Sequence, residues 1–199
     1  MVRRRRMVRD YDPDRPVPPD VRERLLAHAI RAPSAGFSQG WAFLVLETDE
    51  ERDRFWTATT GPSTDKHGAP DAWLTRMRRA PLLVVPFSNK QAYLERYAEP
   101  DKGWTDRDEA RWPVPYWDVD AGMASLLMLL TAVDEGLGAC FFGVPADKVA
   151  ALRAAFDVPG GYRPVGCLSI GYPGDGDRRS PSLKRGRRGL DEVVHRGRW

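Results

Sequence analysis

Cysteine is scarce in this 199-residue chain: Cys140 and Cys167 are the only two, and no CxxC pair is formed. Each lies in an apolar, strand-like run, so the expectation is two reduced core thiols and no disulfide scaffold. Histidine is nearly as rare, and His28, His67 and His195 are too scattered for a histidine-based metal centre. There is no GxGxxG, no P-loop and no internal repeat. No Ser-His-Asp set or carboxylate pair stands out as catalytic. No apolar run reads as long enough to cross a bilayer, and the basic N-terminus is not followed by the apolar core of a signal peptide. These absences predict a cytoplasmic protein with no membrane and no metal among its partners.

What is present suits a folded domain. The chain is 42% hydrophobic and 30% charged, with a mean hydropathy of −0.51, and its length predicts one domain over residues 1–199. The net charge is only +3, yet arginines crowd both ends. Arg3 to Arg6 and Arg9 open the chain, and a second basic run closes it. Three readings apply: a solvated arm, a non-specific nucleic-acid contact, or a phosphate clamp built from arginine forks.

Periodicity marks the elements. Val21, Leu25 and Ala29 repeat every fourth residue and predict a helix over about 20–31, capped by Asp20. Phe43-Leu44-Val45-Leu46 reads as a strand buried on both faces. Further helices are predicted over about 49–58 with Asp49 as cap, 70–79, 90–97, 118–135 and 146–156. Strands are predicted over 81–87, 139–144 and 164–173. The helix over 118–135 is apolar nearly all round and reads as central and buried, with Gly122, Ala124 and Ser125 offering a small-residue face to a partner helix. Residues 59–69 read as a loop long enough to be functional or mobile.

Between the first helix and first strand lies Ala32-Pro33-Ser34-Ala35-Gly36-Phe37-Ser38-Gln39-Gly40-Trp41. Pro33 discourages further helix, and Gly36 permits backbone angles closed to other residues. Such a linker leaves backbone N–H groups and the Ser34 and Gln39 side chains free to face a ligand, although a plain connecting loop has the same composition. Residues 99–118 carry Trp104, Trp112, Tyr116 and Trp117. Their rings either pin the segment to the core or form a lid over a flat ring system.

Five stretches together resemble the flavin-dependent nitroreductase family, in its order and over essentially the whole chain. Arg5-Arg6-Met7-Val8-Arg9-Asp10-Tyr11, followed by Pro16-Val17, is similar to its “RRSxRxF…PV” opening. The 32–41 loop resembles its “APSxxNxQPW”. Asp120 to Gly138 resembles its “DxGxAxQNLLLAAxxxGLG” helix. Pro164 to Pro173 resembles “PVxxIxxGYP”, and Arg187 to His195 resembles “RKPLEEVVH”.

The resemblance implies an α+β fold, a central mixed and mostly antiparallel sheet flanked by helices, in an intertwined homodimer with two FMN sites at its interface. It implies that Arg5, Arg6, Met7 and Arg9, with Arg185 and Arg187 from the tail, hold the phosphate side of FMN. Pro33, Ser34, Ala35, Gly36, Phe37 and Gln39 would line the pyrimidine end, and Phe142, Gly143 and Val144 the opposite edge. Trp104, Trp112, Tyr116 and Trp117 would form the substrate lid. NAD(P)H would give a hydride to the flavin, which then reduces a nitroaromatic, a quinone or another small acceptor, so no protein residue is named as catalytic. The basic ends then serve the cofactor and not nucleic acid.

The chain departs from the family pattern in places. Phe37 replaces the usual Asn, Gly40 the usual Pro, Met7 the usual Ser, and Leu126-Leu127 a Gln-Asn pair. Phe37 also resembles the flavin-destructase branch, which makes 5,6-dimethylbenzimidazole from reduced FMN, whereas Met7 does not. A flavin-binding protein of low turnover is a further alternative.

Overall fold

A computed structural model describes residues 1–61 and 71–199. The predicted functional or mobile loop lies mostly in 62–70, outside the described residues, as do His67 and the predicted helix start at Pro70.

The chain order is α1 (Pro19–Ala29), β1 (Trp41–Leu46), α2 (Asp49–Thr59), α3 (Ala72–Met77), β2 (Leu82–Asn89), α4 (Lys90–Ala98), α5 (Tyr116–Asp134), β3 (Gly138–Phe142), α6 (Val149–Ala155), β4 (Tyr162–Pro164), β5 (Cys167–Gly171) and α7 (Leu190–Val193). The sheet runs β1-β2-β5-β3, with β4 also on β2, and every strand pairing is antiparallel. One parallel element is added at the edge. Met7 bridges Ala139, and the Val8 N–H donates to the Ala139 carbonyl at 3.0 Å. The approach is close: a Cβ on Gly138 would lie 2.5 Å from Val8 Cγ2, so only glycine fits there.

Side-chain alternation along β2 builds two cores. Leu82 and Val84 pack with Val21, Leu25 and Ala29 of α1 and with Ala124, Met128 and Ala132 of α5. Leu83, Val85 and Phe87 face the other way, toward Phe55 and Trp56 of α2, Leu74 and Met77 of α3 and Leu152 of α6. Both cysteines are free and buried, as expected. β1 is covered on both faces but lies at the sheet edge, so only Leu46 is fully buried.

Several sequence expectations are corrected. Asp20 lies inside α1, whose N-cap Pro18 has no side-chain cap. Thr48, not Asp49, caps α2, through a reciprocal box in which Thr48 Oγ1 accepts from the Glu51 N–H and the Glu51 carboxylate accepts from the Thr48 N–H. The single strand expected over 164–173 is two strands. Pro86 has no N–H to give to a neighbour, and the chain kinks at Val165-Gly166, where a Cβ on Gly166 would lie 2.5 Å from Phe141 Cζ.

The long central helix is apolar without being a clear membrane span. Among the described residues α5, with 19 residues, reaches membrane-spanning length and apolarity by length and composition only, and half of it is buried within the fold. Its inner face, including Ala124 and Ser125, packs inside the fold, where Ala124 shares a core with α1, so the small-residue face is covered within one chain. Its outer face is not buried: Leu126 is 47% exposed, and Met123, Leu130 and Val133 are half-buried beside it. Val119, Met123, Leu126, Leu130 and Val133 follow a three-four spacing and make one apolar stripe.

Candidate functional site

The predicted site residues fall into two groups at opposite edges of the sheet. The first gathers where β3 ends. Phe142, Gly143 and Val144 line a cavity of about 230 Å³ together with Phe55, Trp56, Thr59, Trp73 and Leu74. Trp56 stacks on Phe142 with ring centroids 5.6 Å apart and planes 5° from parallel, and Trp73 stands edge-on to both. Trp56 Nε1 is buried and has no hydrogen-bond partner among the described residues. Trp56 and Trp73 are absent from the sequence-based site. They come from α2 and α3, which read as plain helices, and only the fold carries them to the end of β3.

The N-terminal segment, bridged to β3 at Met7, packs against this region through Met7 and Val8. Arg6 pairs with Asp177, whose side chain is only 2% exposed, and Asp177 Oδ1 also accepts from the Arg9 N–H at 2.9 Å. The Arg6 guanidinium is therefore already engaged. Met7 Sδ accepts from the Phe141 N–H at 3.4 Å, so the residue that replaces the family's Ser bonds to β3. Arg5 Nη1 is buried without a partner among the described residues. A buried guanidinium nitrogen in that state costs free energy until an acceptor reaches it. Arg185 and Arg187 are exposed and make no side-chain hydrogen bond or ion pair among the described residues.

The second group surrounds the 33–39 loop. Gly36, Phe37 and Gln39 have φ of +59°, +57° and +50°, a left-handed backbone uncommon for the latter two. The loop is tied down to keep that shape. Ser34 Oγ accepts from the Gln39 N–H at 2.7 Å, Asp120 Oδ2 accepts from the Ala35 N–H at 2.8 Å, and Arg96 Nε donates to the Gly36 carbonyl at 2.9 Å. The expectation of free N–H groups is thus corrected: those of Ala35, Phe37, Ser38 and Gln39 all bond within the protein. Phe37 projects from the loop and is 75% exposed.

Tyr93 and Tyr97 of α4 back the loop, and a Cβ on Gly36 would lie 2.5 Å from Tyr97 Cε2. The lid aromatics cluster on this backing. Trp112 packs on Tyr97 at 4.6 Å, Trp104 on Tyr97 at 4.9 Å, and Trp117 on Tyr93 at 6.2 Å. Trp117 belongs to α5 and is buried, whereas Tyr116 beside it is exposed. Burial raises the Tyr93 hydroxyl pKa well above its ordinary value, so Tyr93 stays a proton donor to Asp120.

One chain does not unite the two groups. The loop enters β1, the turn leaves β3, and β2 and β5 lie between them. Three inter-strand spacings amount to roughly 14 Å.

An antiparallel sheet clad by helices on both faces, with the N-terminal segment bridged in parallel to β3, is the nitroreductase-like α+β fold. Comparison with known proteins agrees. The sequence model described as “Nitroreductase family” matches residues 2–172, and the chain belongs to that family. A protein of Methanothermobacter thermautotrophicus named “Putative NADH dehydrogenase/NAD(P)H nitroreductase” is 27% identical over 177 residues, covering 87% of this chain and 76% of the relative. A nitroreductase family protein from Streptococcus pneumoniae superposes with a TM-score of 0.72 at 17% identity, covering 96% of each chain. A “putative nitroreductase in complex with FMN” from Exiguobacterium sibiricum gives 0.70 at 20% identity, covering 98% of this chain and 94% of that one.

Proposed function

We propose that this protein is an FMN-dependent oxidoreductase that takes reducing equivalents from NAD(P)H and passes them to a nitroaromatic, a quinone or another small acceptor. The observation that carries the reading is the buried, unpartnered Arg5 Nη1, two residues before the bridge from Met7 to β3, the strand whose end carries the aromatic cavity at residues 142–144. FMN requires a cationic donor for its phosphate and an apolar, aromatic wall for its flat ring, and Arg5 and the residues of the cavity have that chemistry. The names of the relatives support the reading: one carries NAD(P)H nitroreductase in its name, and one solved structure contains FMN.

When bound, FMN supplies the hydride and electron chemistry. The chain's own contribution is to hold and orient. Arg5 and Arg9, with Arg185 and Arg187 of the tail, would bind phosphate and ribityl oxygens. Phe142, Gly143 and Val144, backed by Trp56, would bound the ring and exclude water. The tied loop of residues 33–39 would supply its pyrimidine-side contacts from a second copy of the chain. Homodimerisation is supported by the distance between the two groups, by the apolar stripe on α5, and by Leu190 and Val193 of α7, exposed in the single chain. Tyr116 and Phe37, both exposed beside the loop, would contact the acceptor.

The test is the visible spectrum of the purified protein before and after anaerobic NADPH. Flavin bands that bleach support the reductase. Bands that persist point to a destructase or a flavin-binding protein. No bands after adding FMN would overturn the reading.

A further inference from the structure

A second basic surface lies beside the N-terminal segment and shares only Arg9 with the residues proposed for FMN. Arg76 of α3 and Arg178 and Arg179 of the turn after β5 line an open groove of about 480 Å³ with Arg9, Trp73 and Ser180. None of Arg76, Arg178 and Arg179 pairs with a carboxylate among the described residues. Arg178 donates only to the backbone carbonyls of Asp175 and Asp177. The two acids at the groove are committed elsewhere: Asp177 to Arg6 and the Arg9 N–H, and Asp10, 3% exposed, to Arg79. The groove therefore presents an uncompensated cluster of guanidinium forks, an arrangement that repels itself until a phosphate is held.

Trp73 lines both this groove and the aromatic cavity, so the two are neighbours on either side of one indole. We infer that Arg76, Arg178 and Arg179 bind a phosphate monoester of the reducing nucleotide, the 2′-phosphate that distinguishes NADPH from NADH. The inference rests on the oxidoreductase reading. Two features favour the donor over FMN as the source of the phosphate. The single FMN phosphate would already have Arg5, Arg9 and the tail arginines, without Arg76, Arg178 or Arg179. The groove is also open to solvent, which suits a ligand that arrives and leaves in each cycle.

The direct test is titration calorimetry of the full chain with adenosine 2′,5′-bisphosphate and with adenosine 5′-monophosphate. The bisphosphate should bind about ten- to a hundredfold tighter, the scale of one or two charged hydrogen-bond pairs. Arg76→Ala with Arg179→Gln should remove that margin; both side chains are exposed, so the fold should hold. In FMN-loaded protein the same pair should lower the NADPH-to-NADH ratio of flavin reduction rates by a similar factor. Equal binding of the two probes, or a margin that survives the double variant, would overturn the inference. Loss of FMN affinity with an unmoved margin would give the groove to the cofactor's phosphate and also overturn it. A protein that holds no FMN yet keeps the margin would overturn the oxidoreductase reading and support the phosphate site.

Discussion

Tyr93 and Asp120 hold the 33–39 loop through one shared oxygen. Asp120 Oδ2 accepts the Tyr93 hydroxyl at 2.8 Å and the Ala35 N–H at 2.8 Å, and Asp120 is only 1% exposed. Asp120→Ala should cost about 3–6 kcal/mol, two hydrogen bonds to a charged acceptor. Urea unfolding measures it. Asp120→Asn keeps an acceptor for Ala35 and should recover part of the loss; equal losses in the two variants would show that the carboxylate is not what ties the loop.

Arg5→Ala should weaken FMN binding by about 1.5–3 kcal/mol, near ten- to a hundredfold, while removing a buried donor that is unpartnered in the protein alone. Fluorescence titration of the apoprotein with FMN gives the answer. An unchanged affinity would assign the phosphate to other arginines.

Under the proposed homodimer, the wild-type protein should sediment as a dimer in analytical ultracentrifugation and Leu126→Glu as a monomer. Leu126 is at the centre of the exposed α5 stripe, and a charge there is hydrated in one chain but desolvated between two. A wild-type protein that sediments as a monomer would refute the interface.

Stability should fall at alkaline pH. Burial raises the pKa values of Cys140, Cys167 and Tyr11, as it does that of Tyr93, so the native state keeps protons that the unfolded chain releases. Groups raised in this way contribute fully below their unfolded pKa and progressively less above it. The melting temperature should therefore decline once pH passes about 8.5, the ordinary thiol value. Native protein should also resist a thiol reagent such as DTNB at pH 8, and reaction before unfolding would contradict the burial.

Much of this was readable in the residues. The every-fourth-residue spacing of Val21, Leu25 and Ala29 is the buried face of α1. The apolar run at 82–87 is the fully buried heart of β2. What stayed hidden depended on tertiary neighbours. The split between β4 and β5 follows from Pro86 on the adjacent strand, which a reading of 164–173 alone does not include. The outer face of α5 looked buried because its residues are apolar, yet nothing in one chain covers Leu126. Trp56 and Trp73 lie 17 positions apart and meet only because α2 and α3 pack on the same face of the sheet. Arg76 and Arg179 are 103 positions apart and share a groove for a similar reason.

The Met7–Ala139 bridge has one more consequence. Without residues 7 and 8 along its outer side, β3 would be a bare strand edge, open to pairing with another molecule. The segment that seals this edge also carries Arg5 and Arg9. A ligand gripped by those arginines would also slow the fraying of the seal. Amide hydrogen exchange at Val8 would then track cofactor occupancy, and cofactor-starved protein would be the form most prone to aggregate in storage.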